Sequence, residues 1–445
     1  MSMVRHALSA IVLTVVVPAS SRALEPCDRE DLPAGSRCGA ISVPASYDDP
    51  EAGSIELDVV VLPARDGNGA AADPIVFLAG GPGVAATRSA RYFARNLTKM
   101  QQSRDLVLVD IRGTGRSAPD CRLTAAEKRD LVYAFRAPAS FAPCAPDPRI
   151  RESHRTTVFA RDLDHVRRAL GAGQINLLAA SYGTRLALEY ARLFPERVRA
   201  CVLRGATSTG DVIPLQILEG ARAELDGLER AHPGFTMKYT KLVEALDAKP
   251  VTVVFDTNEV VVDGATFEGV ARLLLYDPGT ARALPDLVEA TSSGVLEPLT
   301  RVVAGAEPVV AAFSIPVLLG VLCAEDVPFW RRPRADGPFA PAAVHGNALA
   351  TCRAWSVPAA PRSFRKPVRA QVPTLLLSGT NDPAAPDQVA ARIADVLPNA
   401  LHLVTPGIGH FPTWTSCHAA IIAEFFETAK VDGLDIACAA ESPGR

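Results

Sequence analysis

The chain has 445 residues, enough to bury one large core or two smaller ones. With 48% hydrophobic and 21% charged residues it has the balance of an ordinary globular protein, neither disordered nor fibrous. A net charge of -3 gives no basic surface for nucleic acid or an anionic membrane, which excludes both as expected partners.

The first 23 residues read as an export signal. Arg5 and His6 precede the apolar run from Ala7 to Val17, and Ser21-Arg22-Ala23 offers a small-x-small cleavage site. The competing reading is a buried first helix. The run is too short to span a bilayer, and no later stretch reaches about 18 uninterrupted apolar residues. A mature protein beginning near Leu24 is expected in the periplasm or the medium, with no membrane insertion once the signal is removed.

Nine cysteines fit an oxidising compartment. Cys201 lies in an apolar run suited to a core strand and reads as a buried thiol. The other eight fall into sequence-local couples, Cys27 with Cys38, Cys121 with Cys144, Cys323 with Cys352 and Cys417 with Cys438. Each would close a loop worth roughly 3 kcal/mol in the chain-entropy model. Proximity in sequence is the basis of this pairing, and other connectivities stay open. None of the spacings suits zinc, and nothing in the chain calls for a metal or an organic cofactor.

Ser54 to Leu62 largely alternates apolar and polar residues, as a half-buried strand does, and Asp66 to Gly69 reads as a turn. Pro74 to Leu78 is a second strand running into Ala79-Gly80-Gly81-Pro82-Gly83. A third, Asp105 to Val109, runs into Asp110-Ile111-Arg112-Gly113-Thr114-Gly115-Arg116-Ser117, and a polar, proline-containing excursion follows between Cys121 and Cys144. Phe159 to Leu170 has helical spacing and stops at Gly171. Ile175 to Ala180 is an apolar strand that turns into a helical pattern at Ser181, and Val198 to Leu203 is a further strand. This alternation implies right-handed crossovers and a mostly parallel sheet flanked by helices.

From about Ala206 the pattern becomes mainly helical: Ile213 to Arg230, Lys238 to Leu246, Phe267 to Tyr276, Leu284 to Glu289 and Leu296 to Val303, with a hairpin from Val251 to Val262 around Asn258-Glu259. Proline and loop residues dominate Pro328 to Pro373. The α/β pattern resumes with a strand from Pro373 to Asp382, a helix from Gln388 to Leu397, a strand from Ala400 to Val404, a loop to His410 and a helix from Ala419 to Thr428. The expected organisation is a core over 24–206, a helical cap over 207–367 and the rest of the core over 368–445.

Ser181 stands where a strand turns sharply into a helix, with Ala179 and Gly183 two residues to either side. So tight a turn needs small residues there and exposes the serine beside the first helical N–H groups, a place for an oxyanion. An ordinary capped turn is the bland alternative. The cluster at Gly80 lacks the spacing of a phosphate loop. It suits the second half of an oxyanion hole, with Gly81 as one N–H donor and Tyr182 as the other; Pro82 has none. A serine needs a base, and the base an orienting acid, in the chain order serine, acid, histidine. Asp382, directly after a strand, and His410, after the last strand, take those places. His165, His232, His345, His402 and His418 sit on helices, strands or the insertion, and His154 precedes the first clear helix; all are weaker candidates.

These motifs together resemble the α/β-hydrolases of the proline iminopeptidase and tripeptidyl aminopeptidase family: Gly80 to Gly83, Asp110 to Ser117, Ser181-Tyr182-Gly183-Thr184, Gly379-Thr380-Asn381-Asp382-Pro383, Gly409-His410 and the Cys417–Cys438 tail, which is similar to the tripeptidyl branch. The resemblance covers roughly residues 40 to 206 and 368 to 440. Departures stand at Ala79, Ala179 and Leu203-Arg204-Gly205, where members commonly have histidine, glycine and an aspartate before the glycine. The resemblance implies an α/β-hydrolase fold and release of residues from free peptide N-termini by Ser181, His410 and Asp382. An exopeptidase needs an anion to hold the substrate ammonium, and in this fold it usually projects from the cap. Cys323-Ala324-Glu325-Asp326 is the expected anchor, with Glu325 on the ammonium and Asp326 as helper; a solvated acidic turn is the alternative. Carboxylic esters or thioesters would suit the same three residues, and a silent homologue that only binds is the rival outside catalysis.

Overall fold

The computed structural model describes residues 24–66, 70–118, 121–141, 144, 148–331, 337–411 and 415–440. The expected signal peptide, residues 1–23, lies outside them, as do Gly67, Asn68 and Gly69 of the expected turn.

Eleven strands are described: β1 (Glu25–Pro26), β2 (Arg37–Pro44), β3 (Ser54–Leu62), β4 (Ile75–Leu78), β5 (Leu106–Val109), β6 (Ile175–Ala180), β7 (Val198–Arg204), β8 (Val251–Phe255), β9 (Asn258–Val262), β10 (Thr374–Asn381) and β11 (Ala400–Gly409). Nine form one sheet in the order β1-β2-β3-β5-β4-β6-β7-β10-β11. The pairs from β5 to β11 are parallel, and β1, β2 and β3 close one edge antiparallel.

Strands β4 and β5 are apolar on every residue, and β6 and β7 nearly so, because the sheet is covered on both faces. On one face Val76, Leu78, Leu177, Leu203 and Leu376 pack against helices 156–169, 182–193 and 387–394. On the other, Ile75, Phe77, Leu178, Val202 and Leu377 pack against helices 90–96 and 416–428. The register that puts Leu78 beside Ala179 and Ala180 beside Arg204 brings the carboxyl ends of β4, β6 and β7 to one edge. Ligands bind along that edge in such sheets.

The inserted block has its own core, built from helices 213–231, 235–248, 264–275, 284–292, 297–311 and 315–321 with the β8–β9 hairpin. Four expectations change here. Helix 125–134 lies in the expected polar excursion, started by a capping box between Thr124 and Glu127, and its Leu131, Val132 and Tyr133 join the cap core. Helix Pro341–Trp355 occupies the stretch expected to be loop, with proline in its first turn and an alanine-rich body. The hairpin turns at Asp256 and Thr257, not at Asn258-Glu259, with Asp256 at φ 49°. Finally, β11 continues through Gly409, so His410 follows the strand directly.

Disulfides join Cys27 to Cys38, Cys121 to Cys144, Cys323 to Cys352 and Cys417 to Cys438, and Cys201 is a buried free thiol. Among the described residues no helix is long and apolar enough to cross a membrane.

His418, next to the last disulfide, is buried with Nε2 2.9 Å from Thr405 Oγ1 and Nδ1 3.0 Å from Thr415 Oγ1. Burial, and then the charge of Arg204, push its pKa down to about 4. The unfolded chain therefore binds this proton more readily. The stability His418 gives is full above about pH 6.5 and is lost as pH falls to about 4, by at most about 3 kcal/mol. The urea midpoint of the wild type is expected to drop over that window more steeply than that of His418→Gln.

Candidate active site

Ser181 links β6 to helix Tyr182–Leu193 with φ 53° and ψ -129°, a conformation that side chains resist at a cost of about 1–3 kcal/mol. The sheet enforces it. Ser181 N–H donates to Arg204 O at 2.9 Å. Gly183 presses on β4 so closely that a Cβ there would lie 2.2 Å from Leu78 O. Ala179, 0% exposed, fits where the glycine of the usual motif would stand.

The structure brings the three predicted side chains together. His410 Nε2 is 3.1 Å from Ser181 Oγ, and its Nδ1 is 2.9 Å from both Asp382 carboxylate oxygens. Asp382 Oδ1 also accepts the N–H groups of Ala384 and Ala385, at 3.0 and 2.8 Å. A carboxylate that only accepts requires the proton on Nδ1, leaving Nε2 free to take the serine proton.

Several holding residues escaped the sequence reading. Arg204, noted there only as a departure, is buried at the end of β7. Its Nη1 donates to His410 O at 2.6 Å, and its Nη2 to Gly409 O at 2.9 Å and Phe411 O at 3.3 Å. It thus clamps the histidine loop. An arginine closing an apolar strand was the available signal. From the cap, Tyr276 O accepts His410 N–H at 2.7 Å, and the two rings meet edge to face at 5.1 Å. Gln216 Nε2 donates to Ala384 O at 2.6 Å, while Gly220 lets helix 213–231 cross the aspartate loop, where a Cβ would fall 1.9 Å from Pro383 O.

Above Ser181 lies a cavity of about 470 Å³ between sheet and cap. Gly81 and Tyr182, the expected oxyanion donors, both line it beside Ser181. Tyr182 opens the nucleophile helix, and Gly81 takes φ 114°, open to glycine alone. Val84, Phe313, Leu318 and Phe411 make much of the remaining wall apolar.

Glu325 and Asp326 do not reach this cavity, and their expected role as ammonium anchors is corrected. They lie in a π-helical turn, 322–326, and are 1% and 0% exposed. Glu325 accepts Thr156 N–H and Thr156 Oγ1–H, each at 2.7 Å, and lies 3.5 Å from Arg185. Asp326 accepts both terminal nitrogens of Arg185, at 3.1 and 3.2 Å, and Ile213 N–H at 3.0 Å. Burial pushes the Glu325 carboxyl up, to about 7, against the pull of Arg185 and Thr156. With its hydroxyl hydrogen on Glu325, Thr156 Oγ1 accepts from Tyr182 OH at 2.7 Å. The acidic pair therefore ties the cap to helix Tyr182–Leu193. Arg185 and Thr156 are far away in sequence, so no local pattern announced the pairing.

Glu325→Gln keeps an acceptor for Thr156 but removes the charge opposite Arg185. The expected result is a stability loss of about 1–3 kcal/mol and a lower kcat, with KM within twofold of wild type; urea titration and steady-state kinetics check it. A selective rise in KM for free-amine peptides would reinstate the anchor.

A family model described as "alpha/beta hydrolase fold" matches residues 73–227, and one described as "TAP-like protein" matches residues 338–438. Serine protease Hip1 of Mycobacterium tuberculosis is 27% identical over 426 residues, 83% of this chain and 81% of that protein. A tripeptidyl aminopeptidase of Streptomyces coelicolor is 29% identical over 194 residues, 39% of this chain and 35% of its own. A proline iminopeptidase of Neisseria meningitidis is 33% identical over 133 residues, 30% and 32% of the two chains. Among solved structures, a proline iminopeptidase of Mycobacterium smegmatis matches with a TM-score of 0.46 at 17% identity, over 88% of this chain and 98% of that one.

Proposed function

This chain belongs to the α/β-hydrolase family with a TAP-like C-terminal segment, and we propose on that premise that it is an exported serine peptidase working through an acyl-enzyme on Ser181. The observation that carries the reading is His410, with Nε2 3.1 Å from Ser181 Oγ and Nδ1 on Asp382 at the floor of the cavity. Four disulfides support the exported compartment.

Ser181 Oγ attacks the scissile carbonyl as His410 Nε2 takes its proton. Asp382 holds the ring in the required tautomer and stabilises the imidazolium. The N–H groups of Gly81 and Tyr182 receive the oxyanion. His410 then protonates the leaving amine, the C–N bond breaks, and water, activated by the same nitrogen, releases the acid and frees the serine.

Cutting at a free N-terminus is a narrower reading, supported by the names of the tripeptidyl aminopeptidase and proline iminopeptidase relatives. It needs an anion for the ammonium, and no carboxylate stands among the described residues lining the cavity. The cleft thus favours a peptidase that holds its substrate by backbone and apolar side chains without requiring a free amine. The same apolar wall favours a second reading, hydrolysis of carboxylic esters.

The test uses the purified protein, two chromogenic peptide anilides differing only in N-acetylation, a short-chain p-nitrophenyl ester, and Ser181→Ala as blank. The acetylated anilide is expected to be cut at least as fast as the free one, with a loss of at least about a thousandfold in Ser181→Ala. Cleavage of the free-amine peptide alone would make this an aminopeptidase. Turnover of the ester alone would make it an esterase.

A further inference from the structure

The wall of the cavity carries charge of one sign. The described residues lining it include three arginines, Arg88, Arg204 and Arg272, and no aspartate or glutamate. Arg204 is engaged with the carbonyls of 409–411. Arg88 is exposed.

Arg272 is the informative one. It lies on helix 264–275 and is only 8% exposed. Its guanidinium makes one hydrogen bond, from Nη2 to Val132 O at 2.9 Å, and its Nε has no partner. A guanidinium offers five N–H donors, and burying it with one acceptor is costly unless a ligand completes the set. Glu268, one turn earlier on the helix, attracts it but stands beyond ion-pair distance. That carboxylate accepts Phe339 N–H at 2.5 Å, and burial pushes its pKa up to about 7. Glu268 also lines a different cavity, of about 310 Å³, which Arg272 borders as well.

We propose that this wall is an anion subsite: the substrate carries a carboxylate that Arg272 receives, assisted by Arg88, while the scissile carbonyl lies at Ser181. The inference rests on the peptidase reading and names its substrate class, acidic peptides or acyl groups ending in a carboxylate. A carboxylate presents two oxygens to the guanidinium fork, whereas an ammonium on this wall meets only repulsion.

The test compares succinyl-Ala-Ala-p-nitroanilide with its methyl ester at the succinyl end, two ligands of the same reach that differ in one charge. Binding is measured by calorimetry on Ser181→Ala, and hydrolysis on the catalytically intact protein. The acid is expected to bind at least about tenfold more tightly than the ester, the scale of one charged hydrogen bond, with the advantage falling as salt is added. In the Ser181→Ala background, Arg272→Gln should bring the ratio close to one, and Arg272→Lys should restore part of it. Arg88→Gln, at an exposed position, should reduce it severalfold and decides the matter if Arg272→Gln does not fold. Equal binding of acid and ester, or a ratio unchanged in both glutamine variants, overturns the subsite. Failure of the intact protein to hydrolyse either anilide would remove the peptidase reading, leaving the binding ratio to decide the subsite by itself.

Discussion

The site depends on holding Ser181 where a side chain does not want to be, at φ 53°, and the neighbouring residues are chosen by that constraint. A Cβ at Gly183 would run into the Leu78 carbonyl, one at Gly80 would lie 3.0 Å from Ser181 Cβ, and Ala179 has no free surface. The benefit is positional. The hydroxyl leaves the sheet at its carboxyl edge, next to a helix N-terminus, so that under the proposed mechanism the first N–H groups would need no reorganisation as negative charge develops.

Such strain persists only where the surroundings over-determine it, and a buried polar web supplies this. Arg185, three residues into the nucleophile helix, is fully buried and shared by Glu325 and Asp326 of the cap's π-helical turn, while Asp326 also receives the first N–H of helix 213–231. Tyr182 reaches the same web through Thr156. Removing one member of a buried pair strands the other's charge, so the web ties the cap to the nucleophile more tightly than its net contribution to stability would suggest. On the histidine side Arg204 from the core and Tyr276 from the cap hold one loop between them. The cap is thus part of the frame that holds Ser181 and His410.

What could be read in advance divides along the same line. The placement of Ser181, Gly81, Asp382 and His410 was legible because each is bound to a local backbone demand: a tight elbow, a glycine-only turn, or a residue at a strand end. The both-face burial of the parallel strands was equally plain in runs such as Leu106 to Val109. The roles of Glu325 and Asp326 were not, because an acidic turn reads the same whether it faces solvent or a buried arginine 140 residues earlier. Helix 341–355 was hidden for a different reason: its proline, glycine and weak amphipathicity resemble a loop, and it is held by packing and the Cys323–Cys352 bond more than by its own pattern. Arg204 stood out only as a departure, and its contacts with the carbonyls of 409–411 depend on β7 and β11 being brought to one edge by β10.

The central claim is that Ser181 is a nucleophile made reactive by His410. The most direct measurement is reaction of the protein with a fluorophosphonate, with the adduct located by peptide mass spectrometry and its rate followed in wild type and His410→Ala. The account predicts one adduct, on Ser181, formed at least about a hundredfold more slowly without the imidazole. An adduct on another residue, or a Ser181 rate indifferent to His410, would contradict it.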